Sequence, residues 1–314
     1  MAGATRVRPG RGLLPLDWGA LGPLRVRAAA VADGVYAGAH RSTRRGAGIE
    51  FGGQRPYVAG DDLRFLDRRS LMRHDRLMVR EFETDTERAV WLALDASASM
   101  GFRGASGGAR GAKLAYAGVM AAALCRIATG GQDPVGLAWL GAPHGRYEAP
   151  ARAGFGQATF ERIVDSLERA EARGALADDL DALERQLGVL ARRARRGSVV
   201  VLFSDFLDLP DEVRRLVGVL ASERVLVGVQ VLDPVEAELG FAGRVRLREL
   251  EGTHVVTTDV ERVRGEYLER LEQQTSRWRA AIEFGGGRLV RSRTDVDPIV
   301  TVRAVVQAIG EARR

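Results

Sequence analysis

The sequence predicts an α/β fold in which a mostly parallel sheet is flanked by helices. From residue 88 onwards, short β-branched runs alternate with longer segments whose apolar residues recur at helical spacing. Two of the short runs, 89–94 and 198–203, are almost continuously apolar, as expected for strands buried on both faces. An acid, Asp95 or Asp205, closes each of these strands. Since ligands in such sheets bind beyond the carboxyl ends of the strands, this edge is the predicted site.

The first half of the predicted α/β region runs from the strand that ends at Asp95 to the strand that ends at Asp205, with helices between them. Residues 88–95 predict a strand, 112–128 a helix and 135–140 a second strand, with 145–149 expected beside it at the sheet edge. Helices are then predicted over 159–171 and 177–195, and a further strand over 198–205. This order is typical of parallel strands joined by helical crossovers.

The second half continues the alternation and adds a hairpin. Pro210 is acceptable in the first turn of a helix that runs to about residue 222, and a β-branched strand follows over 225–232. Residues 244–249 and 253–258 predict a β-hairpin. Asp259 is expected to cap a helix that ends at the glycines 285–287, and a strand over 288–291 and a helix over 296–312 complete the chain.

Residues 1–86 differ in composition from residues 87–314 and predict a separate, smaller unit. The first segment is rich in Gly, Pro and Arg, with short apolar bursts. We expect a strand or amphipathic turn within 15–31 and strands near 50–51, 54–59 and 76–83. The predicted domains are therefore a β-rich and loop subdomain over 1–86 and an α/β domain with a C-terminal extension over 87–314.

Composition bounds the functional classes. The single cysteine, Cys125, excludes a disulfide within one chain and is compatible with a reducing compartment. The apolar runs are too short to span a bilayer, so we expect a cytoplasmic protein without a transmembrane segment. The pI of about 10.1 raises the question of nucleic-acid binding. However, Lys113 is the only lysine and the arginines are interleaved with acids, so we expect no nucleic-acid partner.

The residues after the first buried strand suggest a metal site. Asp95, Ser97 and Ser99 place one carboxylate and two hydroxyls at alternate positions, and oxygen ligands of this kind suit Mg²⁺ or Mn²⁺. Asp205 would approach from the other strand. The simpler interpretation is that Asp and Ser only shape turns at strand ends.

The pattern D-x-S-x-S, followed by S-D after a later strand, resembles the metal-ion-dependent adhesion site of von Willebrand factor A domains. The resemblance implies a von Willebrand factor A-like fold and a threonine ligand from an intervening loop. Ala177 occupies that position here and offers no oxygen. Either the site is weakened or lost, or Asp178 or Asp179 replaces the threonine. The alternative role for these two acids is to complement a helix dipole.

A second motif lies upstream, and its acids and arginines alternate over a short span: Arg55, Tyr57, Gly60, Asp61, Asp62, Arg64 and Asp67. An ion network that joins the small subdomain to the α/β domain is one interpretation, and a recognition surface is the other.

From residue 36 onwards, the order of motifs resembles the bacterial DUF58 family: G-x-H-x-S-x-x-x-G-x-G-x-E-F, R-x-Y-x-x-G-D-D-x-R-x-x-D, V-R-E-F-E and D-x-S-x-S-M. Two positions depart from the family pattern: Arg68 stands in place of tryptophan and Ala177 in place of threonine.

The resemblance implies an accessory or chaperone-like protein, without catalytic activity, that works with a MoxR-type AAA+ ATPase on a client protein. A bound Mg²⁺ with an open coordination position would accept a carboxylate from the partner. The alternatives are an interaction scaffold that has lost the ion, a Mg²⁺-dependent phosphotransferase or hydrolase with Asp95 as nucleophile, and a nucleic-acid binder. A second carboxylate within bonding reach of Asp95 would favour the enzyme.

Overall fold

The computed structural model describes residues 24–39, 51–56, 78–82, 89–102, 104, 113–141, 151–173, 180–207, 209–251 and 254–312. In chain order, the helices and strands of these residues are α1 (Leu24–Ala39), β1 (Phe51–Pro56), β2 (Met78–Phe82), β3 (Val90–Asp95), α2 (Lys113–Gly130), β4 (Val135–Leu140), β5 (Ala151–Gly154), α3 (Gly156–Glu168), α4 (Leu180–Arg193), β6 (Val199–Ser204), α5 (Asp211–Glu223), β7 (Val225–Leu232), α6 (Pro234–Glu238), β8 (Arg244–Arg248), β9 (Val255–Asp259), α7 (Val260–Phe284), β10 (Arg288–Arg293) and α8 (Pro298–Ala312). A single 3₁₀ turn, Ala98–Gly101, follows β3.

The central sheet has the strand order β10-β7-β6-β3-β4-β5, and every neighbouring pair is parallel except β4 with β5. The chain moves from β3 to β4 on one side and later from β6 to β7 on the other. The strand order therefore reverses between β3 and β6. In open α/β sheets this reversal opens a crevice at the carboxyl ends of the strands, where ligands bind.

Both faces of the sheet are covered by helices, which explains the continuous apolar runs. Side chains alternate along each strand, so Leu92 and Leu94 join a core with α1, α2, α3 and α8. Trp91 and Ala93 point the other way, into a second core formed with α4, α5 and α7. The predicted α/β class, with a mostly parallel sheet between helices, is confirmed.

The first helix is the main correction to the predicted secondary structure. A strand or amphipathic turn was expected within 15–31, but residues 24–31 are helical and continue to Ala39. Leu24, Ala28, Val31 and Val35 recur every three or four residues and are buried in the first core. Helix α1 belongs to the same compact unit as β3 and all later elements, whereas β1 and β2 belong to a second unit. The α/β unit thus includes a helix from within the predicted 1–86 subdomain.

Smaller differences concern strand and helix ends. The edge partner of β4 is β5, over Ala151–Gly154, and the expected strand over 145–149 lies outside the described residues. The short helix α6 was not predicted. Asp259 precedes α7 as expected, but its side chain makes no capping hydrogen bond. The predicted hairpin is confirmed as β8 and β9, which pair in antiparallel fashion.

Within the described part of the chain, no helix has the length and apolar character needed to cross a bilayer.

Candidate metal centre

The two acids predicted from the strand ends lie at the reversal of strand order. Strands β3 and β6 run in parallel register up to Leu94 and Phe203, so Asp95 and Ser204 come next to each other. The Ser204 hydroxyl donates a hydrogen bond of 2.6 Å to Oδ2 of Asp95. The backbone N–H of Ser97 donates to Oδ1 over 2.8 Å. These two bonds fix the orientation of the Asp95 carboxylate.

The two serines lie on the same side of the loop after β3. The 3₁₀ turn over Ala98–Gly101 brings the hydroxyl oxygens of Ser97 and Ser99 to 3.0 Å from each other. Both residues are buried. The Ser99 hydroxyl is near enough to Asp205 to contribute to the lowered pKa of that carboxyl, so the loop after β3 lies beside the end of β6. All four predicted site residues are therefore brought together.

Asp205 is held in place by a strained turn. The next residue, Phe206, has a φ of 58°, in the left-handed region that bulky side chains rarely adopt. Its backbone N–H donates to the Ser204 hydroxyl over 3.0 Å, and its ring packs against Trp278 with centroids 5.0 Å apart. The N–H of Leu207 donates to Oδ1 of Asp205 over 3.1 Å. The turn thereby directs the Asp205 carboxylate towards the loop after β3.

A buried lysine, which was not among the predicted site residues, completes the charge arrangement. Lys113 begins α2 and has no exposed surface. Its ammonium donates to Oδ2 of Asp205 and to Oε1 of Glu236, in α6, over 2.7 Å in each case. Burial alone would raise the pKa of Asp205, but the adjacent Lys113 charge and its hydrogen bond outweigh burial and lower that pKa. Asp205 is therefore ionised.

The pKa of the Asp95 carboxyl is raised, in contrast to that of Asp205. Its burial and the nearby charge of Asp205 raise its pKa to about 7, against smaller opposing contributions from the hydrogen bonds of Ser204 and Ser97. When all four groups are ionised, three carboxylates and one ammonium carry a net charge of two negative units: Asp95, Asp205, Glu236 and Lys113. A divalent cation would balance that excess.

The donor set fits a hard divalent cation that keeps several waters. Carboxylates and hydroxyls are the ligands that Mg²⁺ prefers, and Mg²⁺ commonly takes only one or two carboxylates from a protein. No cluster of three or more His, Cys, Asp or Glu side chains suited to a metal occurs among the described residues, so a site here would depend on Ser97, Ser99 and water. Ala177 and the substitute ligands Asp178 and Asp179 lie outside the described residues.

A further carboxylate reaches the site from the β8–β9 hairpin. The backbone N–H of Ser99 donates to Oε1 of Glu251 over 3.2 Å. Glu251 is half-buried and lies in the connection between the two strands. Its sequence position, more than a hundred residues from Ser99, gave no indication of this contact. The only indication for Lys113 was that it is the single lysine and begins an apolar helix.

The side chains of the upstream motif are not among those that the structure describes. Arg55 lies in β1, but its side chain is not described. The other residues of the motif lie outside the described residues: Tyr57, Gly60, Asp61, Asp62, Arg64 and Asp67. Whether these residues form an ion network or a recognition surface remains a prediction.

Comparison with known proteins identifies relatives of the chain. A model of the family described as "Protein of unknown function DUF58" matches residues 53–277. The uncharacterized protein Rv1480 of Mycobacterium tuberculosis is 32% identical over 287 residues, which cover 90% of this chain and 85% of the relative. The uncharacterized protein Mb1516 of Mycobacterium bovis matches with the same identity and coverage.

The solved structures that match the chain share little of its sequence. The conserved hypothetical protein BatB from Bacteroides thetaiotaomicron matches with a TM-score of 0.45 and 14% identity, over 72% of this chain and 98% of that one. An aerotolerance-related membrane protein from Bacteroides fragilis matches with a TM-score of 0.44 and 15% identity, over 71% of this chain and 98% of that one.

Proposed function

The chain belongs to the DUF58 family, and we propose that it is a non-catalytic binding protein that captures a carboxylate of a partner protein through a divalent cation. One observation carries the proposal. The predicted site residues converge where the strand order reverses: Asp95, Ser97, Ser99 and Asp205. They lie in a buried cluster that holds more carboxylates than ammonium groups. Mg²⁺ or Mn²⁺ would favour the ionised form of Asp95, whose pKa is raised first by burial and then by the charge of Asp205.

Each residue has a distinct role in this proposal. The Ser97 and Ser99 hydroxyls are the neutral ligands, and Asp95 and Asp205 supply charge directly or through water. Ser204 and the N–H of Ser97 orient Asp95. A bound cation with an open coordination position supplies the attraction for a carboxylate from outside the chain.

The cellular part of the proposal is an accessory role beside a MoxR-type AAA+ ATPase, with an unidentified client protein as partner. It rests on the family resemblance stated from the sequence motifs. We further propose that the protein works in the cytoplasm. This part rests on the single cysteine of the sequence, which is compatible with a reducing compartment. Cys125 is buried in α2, and burial raises the pKa of its thiol to about 12.

The composition of the loop after β3 supports a binding role over a catalytic one. Positions 97 and 99 carry hydroxyls, so this loop holds no second acid beside Asp95 of the kind that would hold the ion next to an aspartate nucleophile. Asp205 accepts from Lys113 and from the N–H of Leu207, and the Lys113 charge lowers its pKa, so it would be a weak general base. We therefore propose no hydrolase or phosphotransferase activity.

A second candidate function is an interaction scaffold that needs no metal. The observation in its favour is the Lys113 ammonium, which already provides a counter-charge to Asp205 at 2.7 Å. In that case the polar cluster would be a structural ion network. The two candidates differ in whether a cation binds.

Calorimetric titration of Mg²⁺ and of Mn²⁺ into the protein tests the proposal. We expect binding to the wild type and loss of binding in Asp95→Ala and in Ser99→Ala. The matched control is Asp211→Ala, because Asp211 is an acid on an exposed helix start, with 64% of its side chain accessible. Absence of heat in the wild type, or equal binding in all the variants, would contradict the metal-bridged function and favour the scaffold.

A further inference from the structure

The β8–β9 hairpin presents a row of arginines on one face. Arg244, Arg246 and Arg248 are exposed and occupy alternate positions of β8, so they share one side of the ribbon. The intervening residues, Val245 and Leu247, are half-buried. The hairpin thus turns its more apolar face towards the protein and its arginines towards solvent.

These arginines differ from most of the other cations in the same unit. Arg25, Arg224 and Arg293 each form ion pairs with neighbouring acids. Within the described residues, none of the three hairpin arginines forms an ion pair or a side-chain hydrogen bond. Opposite them on β9 are Val255, Thr257 and Asp259, so a single acid faces the row. Their charge is available to a partner.

The same hairpin supplies the carboxylate that touches the metal loop. Glu251 follows β8 and accepts a hydrogen bond from the N–H of Ser99 at 3.2 Å. Ser99 is one of the proposed cation ligands. A carboxylate from the chain itself therefore lies beside the loop that carries the proposed cation ligands.

We propose that the β8–β9 hairpin is the docking surface for an acidic, extended segment of a partner protein, and that Glu251 holds the place of the partner's carboxylate until it is displaced. The inference rests on the proposed metal-bridged function. One partner carboxylate takes the position of Glu251, and the flanking ones pair with Arg244, Arg246 and Arg248.

The spacing and composition of the hairpin favour a peptide. Alternate residues of a strand are about 7 Å apart, so an extended segment with acids at alternate positions matches the arginine row. Exposed apolar side chains lie on the hairpin as well: Leu250, Val255 and Val256. Exposed apolar side chains can pack against the side chains of a peptide, whereas a phosphate backbone offers them no apolar surface. Single-stranded nucleic acids prefer aromatic platforms, and residues 244–259 contain no Phe, Tyr or Trp.

The test measures fluorescence anisotropy of a short labelled peptide of alternating glutamate and threonine, with and without millimolar Mg²⁺. Glu251→Gln removes the charge of the internal carboxylate, and Glu249→Gln is the matched control in the same hairpin. The triple variant Arg244→Ala, Arg246→Ala, Arg248→Ala is compared with a triple control of exposed arginines elsewhere: Arg196→Ala, Arg215→Ala and Arg270→Ala. A peptide of alternating lysine and threonine and an oligothymidine complete the set of probes.

We expect Glu251→Gln to tighten binding of the acidic peptide by about tenfold, because the peptide no longer displaces a charge-assisted hydrogen bond. The hairpin triple variant should weaken it by about tenfold, and the control triple by far less. Equal effects of the two triple variants, an unchanged affinity in Glu251→Gln, no binding of the peptide, or tighter binding of oligothymidine would each overturn the docking surface.

The two proposals fail in different ways. If Mg²⁺ does not change the affinity but the hairpin variants behave as expected, the metal-bridged function is wrong and the docking surface stands. If binding requires Mg²⁺ and Asp95 but is insensitive to the hairpin variants, the function stands and the docking surface is wrong.

Discussion

The strongest prediction concerns Lys113→Met, which removes the ammonium and keeps a side chain of similar length. Lys113 has no exposed surface, and its ammonium lies 2.7 Å from Asp205 and 2.7 Å from Glu236. Asp205 is fully buried and only 14% of the Glu236 side chain is accessible. The substitution therefore leaves two largely buried carboxylates without the ammonium that pairs with them.

The magnitude follows from this burial. Removing one partner of a buried ion pair typically costs about 3–5 kcal/mol, because the remaining charge is neither hydrated nor compensated. We expect the free energy of unfolding to fall by about that amount. Arg25→Met is the control: Arg25 also contacts several acids, but 39% of its side chain is accessible. Exposed ion pairs contribute about 1 kcal/mol or less, so this variant should lose far less stability.

Urea denaturation followed by tryptophan fluorescence measures both losses, since Trp91 and Trp278 are buried in the second core. A companion variant combines Lys113→Met with Asp205→Asn and Glu236→Gln. It should recover much of the lost stability, because no charge is left unpaired. If Lys113→Met is no less stable than Arg25→Met, or if the combined variant is no better than the single one, the electrostatic account of this cluster is wrong.

Three further predictions concern the pH dependence of stability and two glycines, Gly136 in β4 and Gly265 on α7. Asp95 has its pKa raised from 3.8 to about 7, so its protonated form stabilises the fold below about pH 4 and this contribution disappears as the pH rises through 7. Asp95→Asn should flatten the decline of the unfolding free energy between pH 4 and 7, and an unchanged decline would refute the assignment. Gly136→Ala places a Cβ 2.6 Å from the Trp91 ring, so it should cost about 1–3 kcal/mol in urea denaturation. Gly265→Ala, on α7 with open space around it, should instead stabilise the protein by up to about 1 kcal/mol, and a loss there would contradict the packing argument.

The central sheet could be predicted because its strands are buried on both faces. A continuous apolar run such as 199–203 in β6, set between two helical segments, is typical of a central strand in a parallel sheet. Helix α1 could not be predicted in this way. Its sequence has arginines in the first turn and Gly34 in the middle, and its helical state depends on packing against the first core.

The site was predictable only in part, for a similar reason. Asp95, Ser97, Ser99 and Asp205 follow directly from two strand ends that neighbour each other in the sheet, so local patterns were sufficient. Lys113 contacts acids 92 and 123 residues away, and no periodicity connects such positions. The short helix α6 was not predicted, because five residues are too few for an apolar period; its sequence signal is the capping box formed by Asp233 and Glu236 around a proline.

The most direct test of the central claim is a titration with Mn²⁺ in which the free ion is measured by electron paramagnetic resonance. The comparison is between the wild type and the double variant Ser97→Ala, Ser99→Ala. This variant removes two neutral hydroxyls and leaves every charge of the cluster in place, so it separates coordination from diffuse attraction. We predict one Mn²⁺ site in the wild type, displaced by Mg²⁺, and its loss in the variant. Equal binding in both proteins, or none in the wild type, would contradict the assignment of the metal centre.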